Sequence, residues 1–139
     1  MTYAEKVAWL RRYQDSLRQE KELAEEVEQL RARAYRVTPA LNDMPTAQGD
    51  GQVLPRAIEQ IMQAQQELQA QIARCDAVRR EIIAALEQVP DPRDGEVLRR
   101  KYLLGQRYEI IAEKMRLELR WIYRRHRRAI EKLTIESPS

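Results

Sequence analysis

The residue types that could do chemistry in this 139-residue chain are concentrated near its carboxyl end. Between residues 116 and 132, seven cationic side chains accompany two acidic ones, Glu118 and Glu131. The cationic residues are Arg116, Arg120, Arg124, Arg125, Arg127, Arg128 and Lys132. Such a stripe suits a polyanion such as DNA or RNA, because phosphate neutralisation releases condensed counterions and supplies affinity for any sequence. From spacing alone, a solvated helix face is as well supported as a polyanion-binding surface, since charge runs are common on helices.

Charge and composition limit the class of protein. The net charge is +3, but residues 1–90 carry −2 and residues 91–134 carry +6. The chain is 34% charged and 43% hydrophobic, with 4 Gly and 6 Pro, a composition typical of long helices and coiled coils. No apolar run approaches the roughly 20 residues that cross a bilayer, and the first residues lack the apolar segment of a signal peptide. We therefore expect a cytoplasmic, all-α protein.

Residues that usually bind metals or perform catalysis are sparse. Cys75 and His126 are the only cysteine and histidine, which excludes an internal disulfide and a zinc-ligand set. For Cys75 we expect a buried structural thiol, and for His126 packing or surface exposure rather than a pH switch. The acidic residues between 20 and 28 scatter around a helix, so a solvated face explains them. No nucleophile lies beside a base, so we expect no enzyme, metal or cofactor.

Two long elements must precede the basic stripe. Apolar residues at three- and four-residue steps predict helices at about 3–36 and 54–89, each about 50 Å long. The first stripe comprises Tyr3, Val7, Leu10, Tyr13, Leu17, Ala24, Val27, Leu30 and Ala34. The second comprises Leu54, Ile58, Ile61, Leu68, Ile72, Cys75, Ile82, Leu86 and Val89. Each narrow stripe needs a cover, which predicts a long, coiled-coil-like antiparallel helical hairpin over residues 1–90.

The segment between these helices and the surface left outside their seam carry further expectations. Residues 37–53 are rich in Pro, Gly, Asn and Asp, which predicts a loop, more often mobile than functional. Four apolar side chains fall off the seam: Trp9, Met62, Ala64 and Val78. Because a second protomer can cover them, we expect a homodimer formed through the N-terminal hairpin, which oligomerises or binds a partner.

A second domain is predicted at 91–135, followed by a tail at 136–139. Pro90 and Pro92 stop the second helix, and Asp91 is a favoured N-cap. A helix should then run to Gly105, which suits a left-handed helix end. Two more helices are predicted at about 108–115 and 119–133, separated by three residues. With the small Ala112 at their crossing point, they fit helix-turn-helix geometry.

The sequence of this domain resembles known families. The runs YLLG at 102–105, YEIIAEKM at 108–115 and IYRRHRRAIEKL at 122–133 resemble bacterial sigma factor region 4. More specifically, they resemble phage and prophage proteins of the autolysin-regulator (ArpU-like) type and their uncharacterised relatives. Those relatives also carry a helical N-terminal half and an Asp-Met-Pro segment, matched here at 43–45. The resemblance implies a three-helix, sigma region 4-like DNA-binding unit in a phage-type transcriptional regulator.

Positions can be carried across from the resemblance one by one. It implies that Leu119, Arg120, Tyr123, Arg124 and Arg127 form the exposed early face of the recognition helix. Arg120, Tyr123 and Arg124 are the expected base or near-base contacts. The expected phosphate contacts are Arg107, Tyr108 and Arg128.

Other residues depart from the family pattern or favour a structural role. Arg116 stands where the family usually has Gly. Arg107 and Glu118 stand where Ser or Thr often cap a helix, which costs about 1 kcal/mol per helix. For Trp121, packing within the domain is favoured over base stacking, and Tyr102 and Tyr108 are expected in the core. A solvated surface residue remains an equal alternative for any single arginine.

Three functions follow as hypotheses. The leading one is a sequence-specific regulator that binds double-stranded DNA in a bacterial host cell. A second is a DNA-packaging subunit similar to a phage small terminase, which would assemble as a ring. A third is an adaptor whose basic helix binds RNA polymerase without affinity for free DNA. The oligomeric mass, DNA affinity and polymerase capture separate the three.

Overall fold

The computed structural model describes residues 1–43 and 53–136, and these residues form helices and connecting turns without any strand. The α-helices are α1 (Tyr3–Asp43), α2 (Val53–Glu87), α3 (Pro92–Leu98), α4 (Tyr108–Met115) and α5 (Leu119–Lys132). A π-helical turn, Arg99–Leu103, follows α3. The predicted all-α class is thus confirmed. In the part of the chain so described, none of the helices combines the length and apolar character needed to cross a bilayer.

The first helix is longer than predicted. It ends at Asp43 rather than near residue 36, so Pro39 lies inside the helix. A proline removes one backbone hydrogen bond and does not by itself determine where a long helix ends. Residues 37–43 of the predicted loop at 37–53 are therefore helical. Its residues 44–52 lie outside the described ranges, as do the last two residues of the Asp-Met-Pro segment. Tail residues 137–139 also lie outside them.

The chain divides into two compact units whose limits differ from the predicted boundary after residue 90. Unit 1 combines Met1–Ser16 with the chain from Cys75 onwards, and unit 2 is Leu17–Arg74. The reason is a core that the start of α1 and the end of α2 share with the later helices. Leu10 of α1, Ile82 of α2, Leu98 of α3 and Ile130 of α5 are fully buried members of it.

Unit 1 has a second core between α3, α4 and α5. Val97, Ile111, Met115 and Ile122 are buried together, and Tyr108, Ala112 and Leu117 pack against them. Burying such side chains stabilises each by about 1.5–3 kcal/mol, which is what short helices need because they are unstable alone.

Local signals end and begin these helices. The Asp91 carboxylate accepts a hydrogen bond from the Arg93 backbone N–H at 2.9 Å, which confirms the predicted N-cap of α3. Gly105 has a φ of 67°, the left-handed conformation expected of it. Arg116, which ends α4, has a φ of 57°. Such a value is rare for a residue with a side chain. No side-chain cap forms at Arg107 or Glu118.

The π-helical turn replaces the last turns of what was predicted as one helix to Gly105. The Leu104 N–H donates to the Arg99 carbonyl oxygen, five residues back, at 3.1 Å. The amide of Gln14 on α1 donates to the carbonyl oxygens of Tyr102 and Leu103, at 3.2 and 3.3 Å. Since the last carbonyls of a helix have no partner within it, this side chain stabilises the end of the irregular segment.

In unit 2, the buried seam differs from the predicted one. Val27 of α1 is buried as predicted, and several other stripe residues are half-buried. On α2, however, Ala64 and Gln71 are buried, whereas Ile58 and Ile72 are exposed. The Gln71 side chain enters the seam because its oxygen accepts two hydrogen bonds from Arg74, at 2.9 and 3.1 Å.

The four residues placed off the seam do not share one surface. Met62 is exposed, as predicted, but Ala64 is buried. Trp9 and Val78 pack against the core of unit 1. The side chains of Ile58, Met62 and Ile72 are instead the exposed large apolar groups along the middle of α2. At 3.6 residues per turn they fall within an arc of about 80°, which places them on one side of the helix.

Candidate nucleic-acid interface

Four of the predicted contact residues of α5 lie on its outer side. Arg120, Tyr123, Arg124 and Arg127 are exposed, at spacings that place them along one helix face. The opposite face is buried and consists of Ile122, His126, Ala129 and Ile130. Leu119, at the start of the helix, is half-buried. The helix therefore presents long cationic and aromatic side chains to solvent, while its apolar side packs on α3 and α4.

Arg128, predicted as a phosphate contact, is held by a buried carboxylate. Its Nε donates to Asp94 Oδ2 at 2.7 Å, and its Nη2 donates to Asp94 Oδ1 at 3.0 Å and Asp91 Oδ2 at 3.2 Å. Arg125 shares both partners through Nη1, at 3.0 Å from Asp94 and 3.3 Å from Asp91. The guanidinium of Arg128 is thus committed to an intramolecular pair. The sequence did not reveal this pair, and the phosphate contact of Arg128 stays a prediction.

The charges in this network are mutually stabilised. The hydrogen bond to Asp94 raises the pKa of Arg128 above its usual value. The backbone N–H of Arg93 lowers the pKa of Asp91, and Arg125 lowers it further. Asp94 is fully buried on α3. A buried carboxylate requires such pairing. The sequence signal is a pair of aspartates three residues apart, Asp91 and Asp94, whose spacing alone does not reveal their shared arginine partners.

Trp121 is exposed rather than packed, contrary to the prediction. Its side chain is 42% exposed in the first turn of α5. The guanidinium carbons of Arg124 and Arg120 lie 4.9 and 5.6 Å from the centre of its ring. These are cation–π distances, which hold the ring against its neighbours without burying it. Arg120 also pairs with Glu118 at 3.0 Å, but both are exposed, so this ion pair is weak.

The two tyrosines of the predicted site contact each other. The rings of Tyr108 and Tyr123 are 4.9 Å apart between centroids. Tyr108 is half-buried, and burial raises its pKa, so its hydroxyl stays protonated. The Lys101 ammonium lies 4.2 Å from the centre of the Tyr108 ring. Arg107, the residue before α4, is exposed. Tyr108 thus packs against Tyr123. Of the two phosphate contacts predicted at the start of α4, Arg107 is more accessible than Tyr108.

His126 packs on the inner side of α5, as the preferred interpretation predicted, but its partners were missed. It is 6% exposed, and the Tyr102 hydroxyl lies 2.7 Å from Nε2. The Tyr3 hydroxyl, from the first turn of α1, lies 3.2 Å from Nδ1. Burial, with the charges of Lys101 and Arg11 nearby, lowers the pKa of His126 to about 4. The imidazole is therefore neutral at pH 7. No sequence signal linked Tyr3 to a residue so distant in the chain.

The C-terminal end of α5 is also tied to the start of α1. The Lys6 ammonium donates to the carbonyl oxygens of Ile130 and Glu131, at 3.1 and 3.2 Å. A cation is favourable there because the final carbonyls of a helix are unpaired and carry partial negative charge. Together with the Asp94 pairs, this contact fixes the direction in which the outer face of α5 points.

The chemistry available on this face is hydrogen-bond donation, positive charge and aromatic contact. Among the side chains of residues 1–36 and 53–136, no group of three His, Cys, Asp or Glu is placed to hold a metal ion. Comparison of the chain with family models, curated proteins and solved structures gives no match. The geometry of α5 and of the helices that hold it is therefore the basis for the proposed function.

Proposed function

We propose that this protein is a phage-type transcriptional regulator that binds double-stranded DNA through a sigma region 4-like helix-turn-helix. The observation that carries the proposal is the exposed face of α5, where Arg120, Tyr123, Arg124 and Arg127 line one side of a helix whose other side is core. The pair α4 and α5, joined by residues 116–118, supplies the first and second helices of the motif.

The proposed docking places α5 in the major groove. A groove about 12 Å wide admits a helix, and the first residues of the second helix approach base edges. Arg120 and Arg124, near that end, are proposed base contacts, with Tyr123 beside them. Arg127 and Arg107 are proposed phosphate contacts. Arg128 acts indirectly in this scheme, because its pair with Asp94 fixes α5 on α3.

The long helices have a proposed role in assembly. An antiparallel hairpin is supported by the ion pair between Arg12, early in α1, and Glu81, late in α2, at 2.6 Å. The exposed side chains of Ile58, Met62 and Ile72 give α2 an apolar surface that a second protomer can cover. We propose a cytoplasmic homodimer, with RNA polymerase as a further partner. Light scattering separates a dimer from the ring that a terminase-like packaging function requires.

The test of DNA recognition is a double substitution with a matched control. Duplexes are first selected from a random pool with the full-length protein, and binding is measured at physiological salt. The variant Arg120→Ala/Arg124→Ala should bind the selected duplex at least about 30-fold more weakly, since each arginine contact to a base contributes about 1–3 kcal/mol. The control is Arg33→Ala/Arg79→Ala, which removes the same charge from exposed positions on α1 and α2.

Each outcome of this test decides something. Loss of binding in the first variant, with unchanged helical circular dichroism and normal binding by the control, supports recognition by α5. Equal losses in both variants would indicate that only total charge matters. Unchanged binding in the first variant removes the proposal. Capture of polymerase by a wild-type protein without free-DNA affinity would replace it with the adaptor function.

A further inference from the structure

Trp121 is a large apolar side chain exposed beside the proposed base-contacting arginines. It lies in the first turn of α5, the end of the helix that is placed nearest to base edges in the proposed docking. Side chains on a helix lean toward its N-terminus, so the indole extends toward that end. At 42% exposure, the ring leaves apolar surface in contact with water, which a binding partner could remove.

The two arginines restrict where the ring can go. Arg124 lies one turn further along α5 and Arg120 directly precedes Trp121, with their guanidinium carbons 4.9 and 5.6 Å from the ring centre. Cation–π attraction on an exposed ring contributes about 0.5–1 kcal/mol. The indole is consequently held in position before any ligand arrives, which reduces the entropy lost on binding.

The chemistry of a duplex selects one partner for such a ring. In a paired and stacked duplex, the faces of the bases are covered, so a side chain in the major groove meets base edges only. The edges present hydrogen-bond donors and acceptors, and the apolar group among them is the 5-methyl group of thymine. We infer that Trp121 is a specificity-determining residue that contacts a thymine methyl group in the major groove. This inference rests on the proposed function of α5.

The neighbouring arginines then complete a two-part recognition. Arginine donates two hydrogen bonds to the acceptors of guanine, whereas the indole removes a methyl group from water. The juxtaposition of Trp121 with Arg120 and Arg124 therefore predicts that selected sites contain an invariant thymine close to a guanine or to a contacted phosphate.

The test removes the methyl group from the DNA rather than the ring from the protein. In the selected duplex, each invariant thymine is replaced in turn by deoxyuridine, which pairs identically but lacks the methyl group. At one position the wild-type protein should bind about four-fold more weakly, the ratio that corresponds to ~0.8 kcal/mol for one buried methyl-sized group. The Trp121→Ala variant should bind both duplexes equally, and Trp121→Phe, which keeps an aromatic ring, should retain most of the discrimination.

The results separate the inference from the function beneath it. Specific binding without an invariant thymine, or with no deoxyuridine effect in the wild-type protein, overturns the role of Trp121 and leaves recognition by α5 standing. A deoxyuridine effect of the same size in Trp121→Ala also overturns it, because another side chain then reads the methyl group. No binding of any duplex removes both the inference and the proposed function.

Discussion

Protonation of His126 should progressively destabilise this protein at mildly acidic pH. The imidazole is buried between Tyr102, Tyr3 and Tyr108, with Lys101 and Arg11 as the nearby charges, and its pKa is about 4 against an ordinary value of 6.5. The native state therefore binds fewer protons than the unfolded chain between these pH values. It follows that the contribution of neutral His126 to stability is complete above pH 6.5 and declines as the pH falls toward 4.

The magnitude follows from the two pKa values. Integrating the linkage relation from pH 7 to pH 5 gives a loss of about 2 kcal/mol attributable to this one residue. Urea denaturation of the wild type and of His126→Gln at both pH values measures it, since glutamine can donate and accept hydrogen bonds but does not titrate. The variant, although less stable at pH 7, should lose about 2 kcal/mol less on acidification.

Two results would contradict this reasoning. The first is an equal loss of stability in both proteins between pH 7 and pH 5. The second is a His126 NMR titration in the folded protein with a pKa near 6.5. Because the chain has 1 His, that titration can be assigned without ambiguity.

Two further substitutions test what holds α5 in place. Asp94→Asn should lower the free energy of unfolding by roughly 3 kcal/mol in urea titrations, since it leaves two arginines without their buried partner; a loss under 1 kcal/mol would show that the network adds little. Arg116→Gly should raise the free energy of unfolding by about 1 kcal/mol, because glycine adopts a φ of 57° without steric cost. Lys114→Gly, at an exposed position in the last turn of α4, is the matched control and should lower the free energy of unfolding by up to about 1 kcal/mol; stabilisation by both substitutions would exclude the backbone argument.

The sequence predicted helix limits and helix ends correctly where the signals are local. The helix at 108–115 has the predicted limits, and α5 ends one residue before its predicted end. Asp91 and Gly105 act as predicted because capping and left-handed geometry depend on neighbouring residues alone. The exposure of Arg120, Tyr123 and Arg124 was also predictable, because the helical period places them opposite the apolar side of the helix.

The sequence did not predict the contacts between distant parts of the chain. Periodicity assigned the first turns of α1 to a separate hairpin, whereas Tyr3 and Lys6 contact α5 in unit 1. Periodicity also placed Ile72 in the seam, whereas the neighbouring Gln71 is buried there instead. The hydrogen bonds of Gln71 to Arg74 form only between packed side chains, so the sequence pattern does not reveal them. For Trp121, the general tendency of large aromatics to be buried was overridden by two arginines that pack on its ring.

The arginines of α5 fall into two groups with different consequences for binding. Arg125 and Arg128 face α3, where the buried Asp94 satisfies them. Among the described residues, no carboxylate pairs with Arg124 or Arg127, and the partner of Arg120 is an exposed glutamate. An arginine that already has a buried carboxylate partner gains little free energy from contact with a phosphate. An exposed arginine gains more, because it gives up only water and counterions when it binds a phosphate. In the proposed function, the outer face of α5 therefore binds DNA because its arginines lack buried partners, and not because of the number of positive charges.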